Sequence, residues 1–208
     1  MKILFFGDSI TDMGRKRDED GHIYSYGNGY VYLVASELFS REPGKYEIVN
    51  RGISGNRIVD LYARVKVDVW SEAPDCLSIL IGVNDVWHEL GERPNGVELE
   101  RWEKVYRMLI EDTVKRLPNT RIIICEPFVL HGTATDERYS RFVQVHNYAS
   151  AAKELAQEYG LEFVSLQSAF DEKAKEYGEK HYLYDGVHPH IAGAKLIATE
   201  WLKVFDRS

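Results

Sequence analysis

The chain has 208 residues, and 44% of them are hydrophobic, a composition that suits one globular domain and excludes a disordered segment. Its 33 acidic and 26 basic residues give a formal net charge of −7, which argues against a nucleic-acid-binding protein because affinity for phosphate rests on clustered lysine and arginine. No segment approaches the ~20 consecutive apolar residues of a membrane span, and the apolar start of the chain is shorter than a secretory signal core. We therefore expect one domain over residues 1–208, located in the cytoplasm, with no nucleic-acid or membrane partner.

Short apolar segments alternate with longer amphipathic segments along the chain. The apolar segments, each bounded by polar or glycine residues, predict buried parallel strands over residues 2–6, 46–50, 76–81, 121–125 and 162–165. The amphipathic segments predict helices over residues 30–40, 57–71, 98–117, 136–159 and 191–205. The repeated strand-then-helix order predicts an α/β fold with a parallel sheet covered by helices on both faces. Ligands in such folds bind beyond the carboxyl ends of the strands, so functional residues are expected directly after each strand.

The first predicted strand is followed by the segment Gly7-Asp8-Ser9-Ile10-Thr11-Asp12. A serine on a tight turn that leaves a strand can present its hydroxyl group at the edge of the sheet, and a glycine permits the backbone conformation of such a turn. Taken alone, Asp8 and Ser9 can equally cap a turn or a helix. The segment lacks the second glycine of the Gly-x-Ser-x-Gly turn of α/β-hydrolases, and it lacks the second aspartate of an Asp-x-Asp phosphatase.

Two further loops that follow strands carry groups able to stabilise a negative charge. After the second predicted strand, glycines flank a serine in Gly52-Ile53-Ser54-Gly55-Asn56 and can direct backbone N–H groups outward, as an oxyanion site requires. After the third, Asn84 carries an uncharged amide that can donate a hydrogen bond, whereas an ionised Asp85 cannot. Each loop by itself is also compatible with an ordinary turn or helix cap.

Near the end of the chain, Asp185 precedes His188 by three residues across a turn that contains a glycine. This spacing brings a carboxylate within reach of one ring nitrogen and leaves the other nitrogen to face a nucleophile, as in a catalytic triad. The alternative is a surface loop with an ordinary histidine. No other histidine has this arrangement, and His88-Glu89 has no second histidine four residues later, which excludes a zincin-type metal site.

The four segments together are stronger evidence for a catalytic site than any one of them alone. A serine, a glycine-containing loop, an asparagine and an Asp–His pair all fall at or near the same predicted edge of one sheet. This combination indicates a serine hydrolase.

The same segments resemble the sequence blocks of the SGNH (GDSL) hydrolase family. The family letters match Ser9, Gly55, Asn84 and His188, with isoleucine after the serine where the family name has leucine. The blocks span residues 5–189, and the subfamily that the chain resembles most is that of the intracellular acetyl-xylooligosaccharide esterases. The resemblance implies a flavodoxin-like three-layer α/β/α sandwich with about five parallel strands, hydrolysis of small acyl esters, and neither a metal nor an organic cofactor. It is also compatible with a homo-oligomer.

The resemblance and the motifs together suggest a mechanism. Ser9 is the predicted nucleophile, His188 its general base, and Asp185 the carboxylate that orients the imidazole. The predicted oxyanion hole consists of the backbone N–H groups of Ser9 and Gly55 and the side-chain amide of Asn84.

Aromatic residues are the candidates for a substrate pocket. They are Tyr30, Trp87, His131 and Tyr184, although ordinary packing is the more frequent explanation of such side chains. We predict a serine esterase that hydrolyses short-chain acyl esters and removes acetyl groups from xylooligosaccharides or similar sugars. One alternative is a lysophospholipase or thioesterase, which needs a long apolar groove. The alternative from another class is a non-catalytic carbohydrate-binding protein.

Overall fold

The sheet is the centre of the molecule. The computed structural model of the protein describes residues 1–18 and 20–207. The strands are β1 (Lys2–Gly7), β2 (Glu47–Gly52), β3 (Cys76–Leu80), β4 (Arg121–Cys125) and β5 (Glu162–Val164). Their order is β2-β1-β3-β4-β5, which is the flavodoxin-like order, and each neighbouring pair is parallel. The predicted fold is confirmed, and the strand ends differ from the prediction by at most two residues.

Helices follow the strands and cover the sheet, which is why the strands are apolar on both faces. The α-helices of the described residues are α1 (Ser9–Asp12), α2 (Tyr30–Arg41), α3 (Ile58–Val65), α4 (Val83–Trp87), α5 (Leu99–Arg116), α6 (Tyr139–Phe142), α7 (Val145–Glu158), α8 (Gln167–Tyr177), α9 (Glu179–Tyr182) and α10 (Ile191–Phe205). Helix α2 packs against α10, while α5 packs against both α3 and α7. These two groups of helices form the outer layers.

One buried tryptophan illustrates how the last helix is attached to the sheet. The Trp201 ring of α10 stacks on Phe205 with 4.8 Å between ring centroids and contacts Phe5 of β1. Its indole N–H donates to the hydroxyl oxygen of Ser78 in β3 at 2.9 Å. The buried hydroxyl in the middle of this strand therefore has a hydrogen-bond partner. Full burial of such a large side chain contributes at least about 1.5–3 kcal/mol to folding.

Two predicted helical regions differ from the structure, and one longer helix lies where none was predicted. The region 136–159 is divided into a 3₁₀ turn (Asp136–Arg138), α6 and α7. The region 57–71 begins as α3 and continues as a π-helical turn (Lys66–Trp70). Helix α8 was not predicted, because only Phe170 of its eleven residues is buried and its sequence therefore has a weak apolar period.

Candidate active site

Ser9 lies on a turn that the preceding two residues determine. It begins α1 directly beyond β1, where the Asp8 carboxylate Oδ1 caps the helix by accepting the Ile10 N–H at 2.9 Å. A Cβ atom on Gly7 would lie 2.6 Å from the carbonyl oxygen of Leu80, so only glycine fits at the end of this strand. The turn presents the Ser9 side chain at the carboxyl edge of the sheet.

Three side chains form a continuous hydrogen-bonded chain at this edge. The distance between Ser9 Oγ and His188 Nε2 is 2.8 Å, and that between His188 Nδ1 and Asp185 Oδ2 is 2.7 Å. The second carboxylate oxygen of Asp185 accepts the backbone N–H groups of Val187 and His188 at 2.9 and 2.7 Å. An ionised carboxylate only accepts hydrogen bonds, so this arrangement assigns the proton to Nδ1 and leaves Nε2 to accept the Ser9 hydroxyl.

The surroundings shift the pKa values of Asp185 and His188. Burial alone would raise the pKa of Asp185, but hydrogen bonds from His188 and from the turn N–H groups bring it below the ordinary value. Burial likewise opposes the charged form of His188, and the adjacent Asp185, with a smaller contribution from Asp8, raises the pKa of the imidazole above its ordinary value. Both shifts favour a carboxylate–imidazolium pair, which is the state that forms when the imidazole takes a proton.

The two further candidate donors lie after β2 and β3, Gly55 on the loop before α3 and Asn84 in α4. Gly55 has φ of +81°, a left-handed conformation that glycine adopts without strain, and none of the described residues accepts a hydrogen bond from its N–H. Asn84 in α4 is 5% exposed and donates one amide hydrogen to the carbonyl oxygen of Asn56 at 3.1 Å. A carboxamide has two N–H donors, and within residues 1–18 and 20–207 no acceptor takes the second one of Asn84, which can therefore bind a ligand.

The residue after Asn84 connects α4 to the start of α3. Asp85 is buried and accepts the N–H of Ile58, the first residue of α3, at 3.0 Å. Burial raises the pKa of Asp85 well above its ordinary value, and the hydrogen bond from Ile58 opposes that rise. Asp85 therefore links α4 to the end of the glycine-containing loop.

Two of the four aromatic candidates lie beside the catalytic histidine candidate. The Tyr184 ring is stacked on the His188 ring with 5.8 Å between centroids and an interplanar angle of 16°, and the Tyr184 residue is 45% exposed. The Trp87 ring lies 5.9 Å from the His188 ring and packs edge-on against Phe142. Their position is suited to contact with a substrate.

The other two aromatic candidates lie elsewhere. Tyr30 is fully buried, its hydroxyl is 3.1 Å from that of Thr11, and its ring packs on Phe5. The prediction that Tyr30 lines the pocket is therefore corrected: it is a core residue, because no part of it is accessible to a ligand. The His131 ring stacks on Tyr139 with 3.5 Å between centroids, its Nδ1 lies 3.1 Å from Oδ1 of Asp136, and it is not among the residues that line the cavity at Ser9.

A cavity of about 440 Å³ opens beside Ser9, and most of the residues that line it carry a polar side chain. Its other lining residues are Asp12, Met13, Gly14, Asn28, Ser54, Tyr184 and His188. Asp12 and Asn28 were not among the predicted site residues. The position of Asp12 on the same short turn as Ser9 was a signal for it, whereas Asn28 reaches the cavity only through the tertiary fold.

Comparison with known proteins agrees with this architecture. Residues 5–196 match the GDSL-like lipase/acylhydrolase family. The chain is 37% identical to an acetylxylan esterase of Geobacillus stearothermophilus over 207 residues, which cover 97% of this chain and 92% of that protein.

Solved structures show the same similarity in three dimensions. A GDSL-like lipase from Parabacteroides merdae has a TM-score of 0.92 and 38% identity, with coverage of 100% of this chain and 96% of that one. The Geobacillus acetylxylan esterase Axe2 has a TM-score of 0.88 and 36% identity, with coverage of 97% and 92%. The chain therefore belongs to the GDSL-like lipase/acylhydrolase family and is a carboxylic ester hydrolase.

Proposed function

We propose that the protein removes acetyl groups from sugars, xylooligosaccharides or similar oligosaccharides being the substrate class. The observation that carries the proposal is the similarity to an acetylxylan esterase over nearly the whole chain, together with a cavity beside Ser9 whose lining residues mostly carry hydrogen-bonding side chains. Met13 and Tyr184 are the large apolar side chains among the described residues that line this cavity. A long fatty-acyl chain needs an extended apolar groove, so the lining favours a short acyl group on a hydroxyl-rich alcohol.

We propose Ser9 as the nucleophile. In this mechanism His188 Nε2 takes the hydroxyl proton as Oγ attacks the ester carbonyl, and the imidazolium then donates it to the leaving alkoxide. Asp185 holds the Nδ1 proton and stabilises the imidazolium. Water then attacks the acetyl-enzyme with the same base, which releases acetate and restores Ser9.

Variants of the Geobacillus enzyme support the same three residue types. Structures described as catalytic mutants of that protein replace a serine, an aspartate or a histidine by alanine. The aspartate and histidine are three residues apart in that protein, as Asp185 and His188 are in this chain.

We propose that the tetrahedral intermediate is stabilised by three donors. The N–H of Ser9 lies in the first turn of α1, where backbone donors have no intrahelical partner. The N–H of Gly55 and the second amide hydrogen of Asn84 complete the set. Each such donor typically contributes about 10²- to 10³-fold to turnover.

The proposal is tested with wild type and Ser9→Ala. Both proteins are assayed on p-nitrophenyl acetate and octanoate, and then for acetate release from acetylated xylooligosaccharides. We expect the wild type to prefer the acetate ester and to release acetate from the sugar, and Ser9→Ala to do neither. A preference for octanoate would favour a lysophospholipase or thioesterase, and activity retained in Ser9→Ala would refute the nucleophile.

Three further expectations have simple tests. Within residues 1–18 and 20–207, no helix has both the length and the apolar character needed to cross a membrane. We propose a cytoplasmic location, which cell fractionation tests. We also propose one folding domain and a homo-oligomer, which a single cooperative unfolding transition and light scattering, respectively, would test.

A further inference from the structure

Asp12 is a buried carboxylate in the cavity to which neither the triad nor the oxyanion hole assigns a role. It is the last residue of α1, the four-residue helix that begins with Ser9, and it is 6% exposed. Its side chain leaves the helix and reaches the loop between β2 and α3. An ionised group in this position costs free energy unless it is satisfied by donors, so its contacts are informative.

The contacts of Asp12 join the nucleophile helix to the loop that carries Gly55. Oδ2 accepts the backbone N–H of Ser54 at 3.0 Å and Nη2 of Arg17 at 3.1 Å, and Oδ1 accepts the N–H of Arg15 at 3.2 Å. Ser54 directly precedes Gly55, so the hydrogen bond from Ser54 constrains the backbone next to the predicted oxyanion donor.

Hydrogen bonds attach the turn over residues 53–56 to its surroundings at four points, one of which is the bond from Arg64 Nε to Asn56 Oδ1 at 2.7 Å. The N–H of Ile53 donates to the carbonyl oxygen of Gly7 at 3.0 Å, and the carbonyl oxygen of Asn56 accepts from Asn84 at 3.1 Å. Among the described residues, the hydrogen bond from Ser54 is the one that connects the turn to α1 itself. This hydrogen bond therefore couples the backbone of the turn directly to the helix that begins with Ser9.

A carboxylate this close to a developing oxyanion would repel it unless its charge is balanced. Arg17 forms an ion pair with Asp12, and Arg15, whose Nε donates to the carbonyl oxygen of Gly52 at 2.9 Å, adds a second positive charge nearby. With these partners, Asp12 can fix the loop without opposing the charge that forms in the reaction.

We propose that Asp12 is a positioning residue, which holds the Gly55 N–H at the correct distance from Ser9 through its hydrogen bond with Ser54. This inference rests on the proposed function. It assigns Asp12 no contact with the reacting atoms: the carboxylate sets the geometry of a donor that is used in the transition state.

The test compares Asp12→Ala with Asp12→Asn on p-nitrophenyl acetate. Misplacement of a reacting group by an ångström can cost about 10²-fold in rate, so Asp12→Ala is expected to lower kcat by roughly 10- to 100-fold with KM little changed. Asp12→Asn keeps an acceptor oxygen for Ser54 and is expected to restore most of kcat. Phenylboronic acid, which forms a tetrahedral adduct with a catalytic serine, should bind Asp12→Ala more weakly in parallel with kcat.

Asp60 provides a matched control. Its carboxylate accepts the N–H of Arg57 at 2.9 Å and pairs with the Arg57 guanidinium, which is the same chemistry at the start of α3. Asp60→Ala is expected to lower the melting temperature and keep the wild-type kcat.

The outcomes separate this inference from the proposed function. Wild-type kcat in Asp12→Ala, or an equal loss of kcat in Asp60→Ala, would overturn the positioning role while the esterase stands. If Asp12→Ala does not fold, Asp12→Ser, whose hydroxyl is too short to reach Ser54, replaces it with the same expectation. A wild type that hydrolyses no p-nitrophenyl ester would instead refute the proposed function.

Discussion

Replacing Asn84 by alanine separates stabilisation of the fold from stabilisation of the transition state. The amide makes one hydrogen bond to the carbonyl oxygen of Asn56, at 3.1 Å, and Asn84 is 5% exposed. Loss of that single bond is expected to lower the free energy of unfolding by about 0.5–1.5 kcal/mol. Loss of an oxyanion donor is expected to lower kcat by about 10²- to 10³-fold, which corresponds to ~3–4 kcal/mol in the activation free energy.

The assay measures both quantities on the same variants. Urea unfolding gives the change in stability, and hydrolysis of p-nitrophenyl acetate under saturating conditions gives kcat. Asn147→Ala is the control, because Asn147 is an exposed asparagine on α7. We expect it to change neither quantity. If Asn84→Ala loses stability but keeps the wild-type kcat, Asn84 is only a structural residue and the oxyanion assignment is wrong.

Further predictions concern pH and backbone geometry. His188 must be neutral to act as a base and its pKa is raised, so kcat/KM should fall as pH decreases, with a midpoint above the ordinary histidine pKa of about 6.5. Asp185→Asn should move that midpoint to lower pH. An unchanged midpoint in this variant would contradict the pairing of Asp185 with His188. Burial raises the pKa of Asp8 to about 7, so the folded state binds this proton more tightly than the unfolded chain, and stability should fall as pH rises from the ordinary aspartate value to about 7. Asp8→Asn keeps the cap and should have a higher melting temperature than wild type above pH 7 and an equal one at acidic pH, and the opposite order would refute the shift. A Cβ on Gly52 would lie 2.2 Å from a backbone nitrogen of α1, whereas a Cβ on Gly55 would meet no atom within 4 Å. Gly52→Ala should therefore lower the melting temperature more than Gly55→Ala, for which the positive φ alone costs about 1–2 kcal/mol. Equal losses in the two variants would contradict this geometry.

The fold could be predicted because strand and helix signals alternate clearly along the chain. Buried parallel strands are mostly apolar, and all five strands were identified from short apolar segments. Helix α8 could not be predicted in the same way, since a largely exposed helix has little apolar periodicity. The division of the region 136–159 depends on local hydrogen bonding around Arg138 and Gln144, which apolar spacing does not report.

The candidate site was predictable where a residue's chemistry and its position after a strand coincide. Ser9 and Asn84 meet that condition, whereas His188 was identified by its spacing from Asp185. The catalytic roles of all three stay predictions. The prediction for Tyr30 was wrong because aromatic character does not tell a pocket wall from a core: Tyr30 belongs to the buried face of α2. The contact between Asp12 and Ser54 joins residues 42 positions apart, so only the folded chain reveals it.

The measurement that tests the central claim most directly is covalent labelling by a fluorophosphonate, located by peptide mass mapping. The reagent reacts with a serine that a neighbouring base activates. We predict one labelled site, Ser9, in the wild type and no labelling in Ser9→Ala. In His188→Ala, labelling of Ser9 should be slower than in the wild type. Labelling of another residue, or undiminished labelling in Ser9→Ala, would contradict the assignment of Ser9 as the nucleophile.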